Sequence, residues 1–258
     1  MESDNENNRL KNKINPGEYI NLYMNQFISP HTKILDVGCG PAVIDEYIAQ
    51  KYPTTQITGL DISSNRLIQT REMIQNLPNL LLVSANVYQL PFNKNTYDVI
   101  FSRLLFEYLK YPTLALEEIK RVCKPGGCVI IQDIDGQFFS LYPEDNELIS
   151  KMDQIFQELK EHSGFDPFVG RKLYHLFHTH GFNNIQVQIE PYHLIAGKIN
   201  SKNDLYWQEK LLSVLPQLSK HTKKDTIELK KDIALYLDYL RREDTMSFSN
   251  LFTVYGIK

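Results

Sequence analysis

Through the first half of the chain, short apolar runs alternate with longer stretches in which apolar residues recur every three or four positions. Runs at 33–37, 56–61, 80–84, 97–102 and 127–133 predict strands, and periodic stretches at about 42–51, 63–76, 103–109 and 112–123 predict the helices between them. Near-continuously apolar strands separated by helices call for a parallel sheet covered on both faces. Such sheets bind ligands beyond the C-terminal strand ends, where the strand order reverses. Asp36, Asp61, Asn86 and Ser102 all stand at or just past those ends.

The flanks read differently. Residues 1–14 are polar and are expected to be loose. Asn15-Pro16-Gly17-Glu18 opens a helix to about Ile28, with a capping amide, proline at the first helical position and a glutamate three residues after the cap. Tyr19, Tyr23 and Phe27 lie one turn apart on it and dock it on the sheet. Residues 143–163 and 167–180 read as two helices, the second stopped by Gly181, while 184–192 and 247–257 alternate as strands. Between these strands, 201–243 reads as two further helices, with Leu229, Ile233, Tyr236, Leu237 and Leu240 along one face.

Chemistry enters at Lys33 to Ala42, a buried strand running into a glycine turn and then a helix, a unit that leaves backbone N–H groups free for a nucleotide-like ligand. The next strand, Gln56 to Asp61, ends in a carboxylate placed to grip a ribose diol. With Asp36-Val37-Gly38-Cys39-Gly40 and Gly59-Leu60-Asp61-Ile62-Ser63, the chain resembles the class I S-adenosylmethionine-dependent methyltransferases. Leu90-Pro91-Phe92, Tyr97 to Ser102 and Arg121 to Gly127 follow in the same order, and the branch most resembled contains the ubiquinone/menaquinone-type and many small-molecule enzymes. The resemblance is strong over 33–135 and topological over 181–258.

It implies a Rossmann-like α/β fold: a seven-stranded, mostly parallel sheet with an antiparallel last strand and helical cap insertions. The implied layout is one domain over 1–258, with an N-terminal helical segment (1–32), a cofactor core (33–135), substrate-cap elements (136–180 and 193–246) and the last strands (181–192 and 247–258). The implied cofactor is S-adenosylmethionine, leaving as S-adenosylhomocysteine. Gly38, Cys39 and Gly40 would pass under its methionine part, Asp36 would meet the ammonium, and Asp61 would take the ribose hydroxyls. Ile62, Arg66, Asn86, Val87, Ser102 and Arg103 would complete the cleft, with Tyr19 and Tyr23 lining it from the N-terminal segment. Two positions depart from the family pattern. Ala42 stands where a third glycine is usual, and Asn86 replaces the aspartate that accepts from the adenine amino group, a role an amide oxygen also fills.

Methyl transfer needs alignment and dryness more than a fixed catalytic group, so the family has none. Arg103, Glu107, Asp133, Asp135, Tyr142, Glu144, Tyr192 and His193 are the candidates for a base or orienting group. The leading reading is transfer to an oxygen or nitrogen of a small aromatic or hydrophobic metabolite, in keeping with Phe138, Phe139, Tyr142, Phe165, Phe168, Tyr192, Tyr206 and Trp207 in the variable part. The alternatives are a methyltransferase fold that binds the cofactor but catalyses a non-methylating reaction such as a cyclisation, and a cofactor-binding partner subunit. A dinucleotide oxidoreductase is disfavoured by Val43, where its third glycine belongs.

Composition narrows the partners. The formal net charge of −3 over 258 residues gives no general attraction to nucleic acid or anionic membrane. Three cysteines, an odd number inside fold motifs, read as reduced thiols of a cytoplasmic protein, and Met1 to Asn8 is unlike a signal peptide. No apolar run reaches the ~20 residues of a spanning helix. A small-molecule acceptor, a monomer or homodimer, and no metal are expected. His175, His178 and His180 suit the end of a helix better than a metal, and the run from Lys220 to Lys231 reads as a solvated helix face.

Overall fold

In the computed structural model, residues 14–74 and 77–258 are described. The loose segment expected before Ile14 and the end of the helix expected over 63–76 fall, at 1–13 and 75–76, outside the described residues. Seven strands, β1 Lys33–Val37, β2 Gln56–Asp61, β3 Leu80–Ser84, β4 Tyr97–Arg103, β5 Cys123–Tyr142, β6 Asn183–Ala196 and β7 Met246–Ile257, form one sheet. Its order is β3-β2-β1-β4-β5-β7-β6. The first five run parallel, as the alternation of strands and helices predicts, and β7 pairs antiparallel with both β5 and β6, in keeping with the antiparallel last strand that the resemblance implies.

Because successive strand residues face opposite sides, neighbouring apolar residues feed two different cores. Ile34, Val99 and Ile130 join Tyr19, Tyr23 and Ile48 on one face. Leu35, Ile100 and Ile131 join Leu116, Ile119 and Phe177 on the other. The first face is covered by α1 Pro16–Tyr19 and α2 Val43–Lys51, with Leu67 of α3 Ser64–Met73 packed beside Leu82, and the second by α4 Pro112–Val122 and α6 Leu173–Thr179. A third apolar core lies in the cap, where α5 Asn146–Ser163, α7 Ser201–Ser213, α8 Leu215–His221 and α9 Thr226–Leu240 bury Met152, Ile155, Trp207, Leu211, Ile233 and Tyr236 together. Burying a side chain of this kind is worth about 1.5–3 kcal/mol, so the cap holds itself together.

Several elements differ from the sequence pattern, each for a local reason. The N-terminal helix, capped as expected by the Asn15 side chain on the Glu18 N–H, widens to a π turn at Ile20–Met24 and tightens to a 3-10 turn at Asn25–Phe27. The helix expected at 103–109 is a single 3-10 turn, Phe106–Tyr108, because Leu104 takes a left-handed φ of 55° and its N–H pairs with Gln132. The cap insertion holds three helices, not two: α7 ends at Ser213, and Pro216 lies in the first turn of α8. The helix expected at 167–180 begins with a 3-10 turn at Gly170–Lys172. Both long strands overrun their expected ends: β5 pairs with β7 as far as Tyr142, and β6 continues to Ala196. The three cysteines are buried and unpaired, and burial pushes the Cys123 thiol up to about 12.

Candidate functional site

At the end of β1 the chain turns through Gly38 and Gly40, both with positive φ (86° and 54°). The Gly38 and Cys39 N–H groups donate to the Leu60 carbonyl at 2.7 and 2.9 Å, which ties the turn to β2. A Cβ on Gly38 would lie 3.1 Å from Leu105, whereas one on Gly40 would meet nothing within 4 Å and would project into open space. Ala42, at the usual third glycine, also takes the left-handed conformation, with φ 53°, and opens α2.

Asp61, at the end of β2, is 6% exposed. Its carboxylate accepts from the Gly40 N–H at 3.0 Å and the Ser63 N–H at 2.9 Å, with Arg66 Nη1 at 3.4 Å. It thus clamps the glycine turn to the start of α3, which Ser63 caps through the Arg66 N–H. Ala85 N–H donates to the Asp61 carbonyl, bringing the end of β3 alongside, where Asn86 is exposed and Val87 packs into the core. Ile62 is 73% exposed at the same edge.

Asp36 on β1 is buried and faces Asp45 in the first turn of α2, a residue the sequence reading passed over. Burial, and then the facing carboxyl, holds Asp36 well above the usual carboxylate range, while burial raises Asp45 to about 7. Gly59 leaves room for it, since a Cβ there would lie 3.0 Å from Asp45 Oδ2. Tyr19 lies against Phe101 with ring centroids 6.2 Å apart and shares the local field of Asp36 and Arg103. Its hydroxyl is buried without a hydrogen-bond partner among the described residues. Tyr23 instead donates to the Glu190 carboxylate. Ser102 donates to the Val37 carbonyl at 2.8 Å, and Arg103 to Gln132 Oε1 at 2.8 Å.

The loop after β4 lies between the glycine turn and a cavity. Leu105 presses on Gly38, while Leu104 and Glu107 line a cavity of about 410 Å³ under the cap. Its floor comes from the ends of β5 and β6, with Ile134, Gln137, Phe138, Tyr192 and His193. Its roof comes from α5, α7, α8 and α9, and includes Ile155, Phe156, Leu211, Leu218 and Ile233. Pockets of this size hold drug-sized molecules, mostly by apolar contact.

Of the candidates for a base or orienting group, Glu107, Tyr192 and His193 reach the cavity. Asp133, fully buried and raised to about 7 by that burial, is spent on backbone N–H groups of Ile134, Phe106 and Glu107. Asp135 is held by Arg171 through the backbone N–H at 2.8 Å and the guanidinium at 2.6 Å. Tyr142 is 74% exposed and Glu144 is exposed, both beyond the cavity lining. Among the described residues, no cluster of three metal-ligating side chains is found. Gln137 lines the cavity with no sequence signal beyond Gly136, which marks an irregular strand, and Tyr236 reaches the lining from the apolar face predicted for the last cap helix.

A family described as methyltransferase domain matches residues 35–131. An uncharacterized methyltransferase of Schizosaccharomyces pombe is 30% identical over 166 residues, which is 60% of this chain and 58% of that protein. A demethylmenaquinone methyltransferase of Staphylococcus aureus is 30% identical over 171 residues, which is 61% of this chain and 70% of that protein. Phosphoethanolamine N-methyltransferase 2 of Haemonchus contortus, solved with phosphomonomethylethanolamine and S-adenosylhomocysteine, shares the fold. It aligns at TM-score 0.59 and 17% identity over 93% of this chain and 52% of that one. The chain thus spans less than two thirds of the S. pombe relative. With its sheet order and glycine turn, the chain belongs to the class I S-adenosylmethionine-dependent methyltransferases. The methyl donor of that family is S-adenosylmethionine.

Proposed function

We propose that this protein transfers a methyl group from S-adenosylmethionine to an oxygen or nitrogen of a small aromatic or hydrophobic molecule held under the cap. The observation that carries this reading is the loop after β4, where Leu105 touches the glycine turn and its neighbours Leu104 and Glu107 line the cavity. Donor cleft and acceptor space are therefore separated by a few residues of chain.

The residues at the glycine turn fit the cofactor. Open space at Gly40 would accept its methionine part, and the Tyr19 hydroxyl, buried and without a partner among the described residues, would supply a polar contact for it. Asp36 and Asp45 would receive the ammonium, and Asp61, Ile62, Asn86 and Val87 would flank the adenosine. Arg66, Ser102 and Arg103 would brace that cleft. When bound, the cofactor supplies a methyl carbon already activated by its sulfonium. What remains for the chain is to orient the acceptor, exclude water and take a proton. Glu107 and His193 stand in the cavity lining as proton acceptors for a hydroxyl or amine nucleophile. The apolar roof supports an aromatic or aliphatic acceptor body, as does relatedness to a demethylmenaquinone methyltransferase.

The test is release of S-adenosylhomocysteine from S-adenosylmethionine in fractionated pools of apolar metabolites, followed by mass spectrometry of the product that gains a methyl group. Asp61→Ala should weaken cofactor binding, measured by titration, by about 1.5–3 kcal/mol, the range for a hydrogen bond to a charged group. No methylated product from any pool, with the cofactor nevertheless bound, would overturn the reading.

A further inference from the structure

Two strand irregularities meet at the cavity floor. The β5–β7 ladder is regular to Asp135–Asn250 and resumes at Ser140–Phe248, so four residues of β5 oppose one residue of β7. On the other side of β7, the β6–β7 ladder breaks between Tyr192–Ser249 and Ile195–Ser247. Each bulge holds a non-glycine residue in the left-handed conformation, Phe138 at φ 72° and His193 at φ 52°. Bulges and strained backbone of this kind recur beside binding sites because they re-aim side chains that a regular strand would point elsewhere. Phe138 and His193 close on the same indole, with ring centroids 5.7 and 5.0 Å from Trp207.

Between Gly136 and Phe138 stands Gln137, 6% exposed and part of the cavity lining. The Gly136 N–H is drawn off to the Pro167 carbonyl at 3.0 Å, which holds the bulge open. The Gln137 Nε2 group has no hydrogen-bond partner among the described residues. A buried amide donor left unpaired is destabilising, a penalty a bound acceptor atom would remove.

We propose that Gln137 is the specificity-determining residue for the methyl acceptor, donating through Nε2 to an oxygen on an otherwise apolar molecule. The inference rests on the reading that the cavity holds the acceptor. It defines the acceptor class as an apolar or aromatic body carrying a carbonyl, ether or phenolate oxygen. The bulges supply the geometry: one places Gln137 in the cavity lining, and both frame the aromatic wall against which the body packs.

The test compares 1-tetralone with tetralin, which share a ring system and differ in one carbonyl oxygen, by calorimetric titration of the protein saturated with S-adenosylhomocysteine. Gln137→Met keeps the length of the side chain and removes the donor; Gln137→Leu serves if the first variant does not fold. The difference in partitioning between the two probes cancels when their affinity ratio is compared between variant and parent. That ratio, ketone over hydrocarbon, should fall about tenfold in the variant, with the cofactor affinity unchanged. A ratio that does not move, with both probes bound, would overturn the role of Gln137 and leave the acceptor cavity standing. If neither probe binds while S-adenosylhomocysteine does, the cavity reading fails and takes this inference with it. Ile155→Trp, which fills the cavity, should abolish binding of both probes, and retained binding would likewise show that they sit elsewhere.

Discussion

The Asp133 carboxyl accepts the Phe106 N–H at 2.7 Å, so a side chain on β5 sets the path of the loop that follows β4. The same carboxyl takes the Ile134 N–H at 2.8 Å and the Glu107 N–H at 3.3 Å. It therefore positions Glu107 at the cavity without lining the cavity itself. Asp133→Ala leaves buried donors unpaired and should cost about 3 kcal/mol in urea unfolding. Asp133→Asn keeps an acceptor oxygen and should cost less than half of that. An alanine variant as stable as the parent would show that the loop holds its path without this carboxyl.

Stability should fall as pH rises toward neutrality. Burial raises Asp45 and Asp133 from the ordinary 3.8 to about 7. Across that interval the folded chain keeps protons that the unfolded chain has already lost. The associated stabilisation is complete below the unfolded pKa and is lost as pH passes through the folded one. Thermal melting should therefore drop between about pH 4 and about pH 7, and Asp45→Asn should flatten the slope. A melting temperature that rises over the same interval would contradict the assignment.

Tyr19→Phe separates folding from binding. The hydroxyl is buried and unpartnered, so its removal should leave the melting temperature unchanged or raise it. If that hydroxyl contacts the cofactor, affinity for S-adenosylmethionine should fall about fivefold, the worth of one hydrogen bond of about 1 kcal/mol. Unchanged affinity in calorimetric titration would remove Tyr19 from the site.

Ala42 carries the left-handed turn that glycine usually makes. Ala42→Gly relieves about 1 kcal/mol of strain but loses a buried methyl worth ~0.8 kcal/mol and stiffness worth ~0.5–1 kcal/mol. The net change in unfolding free energy should be within about 1 kcal/mol of zero. Ala42→Val puts a branched side chain at the same φ and should destabilise by about 2 kcal/mol or more. Equal stability of the valine variant would mean that the turn relaxes to another conformation.

The sheet was legible because its signals are local. Five apolar runs, the glycines at 38 and 40 and the carboxylates at the ends of β1 and β2 each lie within a few contiguous residues, and the alternation of strands with helices calls for their parallel sheet. The Asn15 cap was readable for the same reason. What each side chain does at those strand ends was not readable. Asp61 bonds to Gly40, 21 residues away; Asp133 bonds to Phe106, 27 residues away; Asp135 pairs with Arg171, 36 residues away. The cavity belongs wholly to the tertiary structure. Its floor depends on bulges whose register is set by pairing with β7, more than a hundred residues beyond Gln137. Its roof depends on how four cap helices bury a shared apolar core. Local pattern determines which segments become strands and helices, while the atoms that surround a ligand come from segments distant in sequence, whose contacts exist only once the sheet is in register.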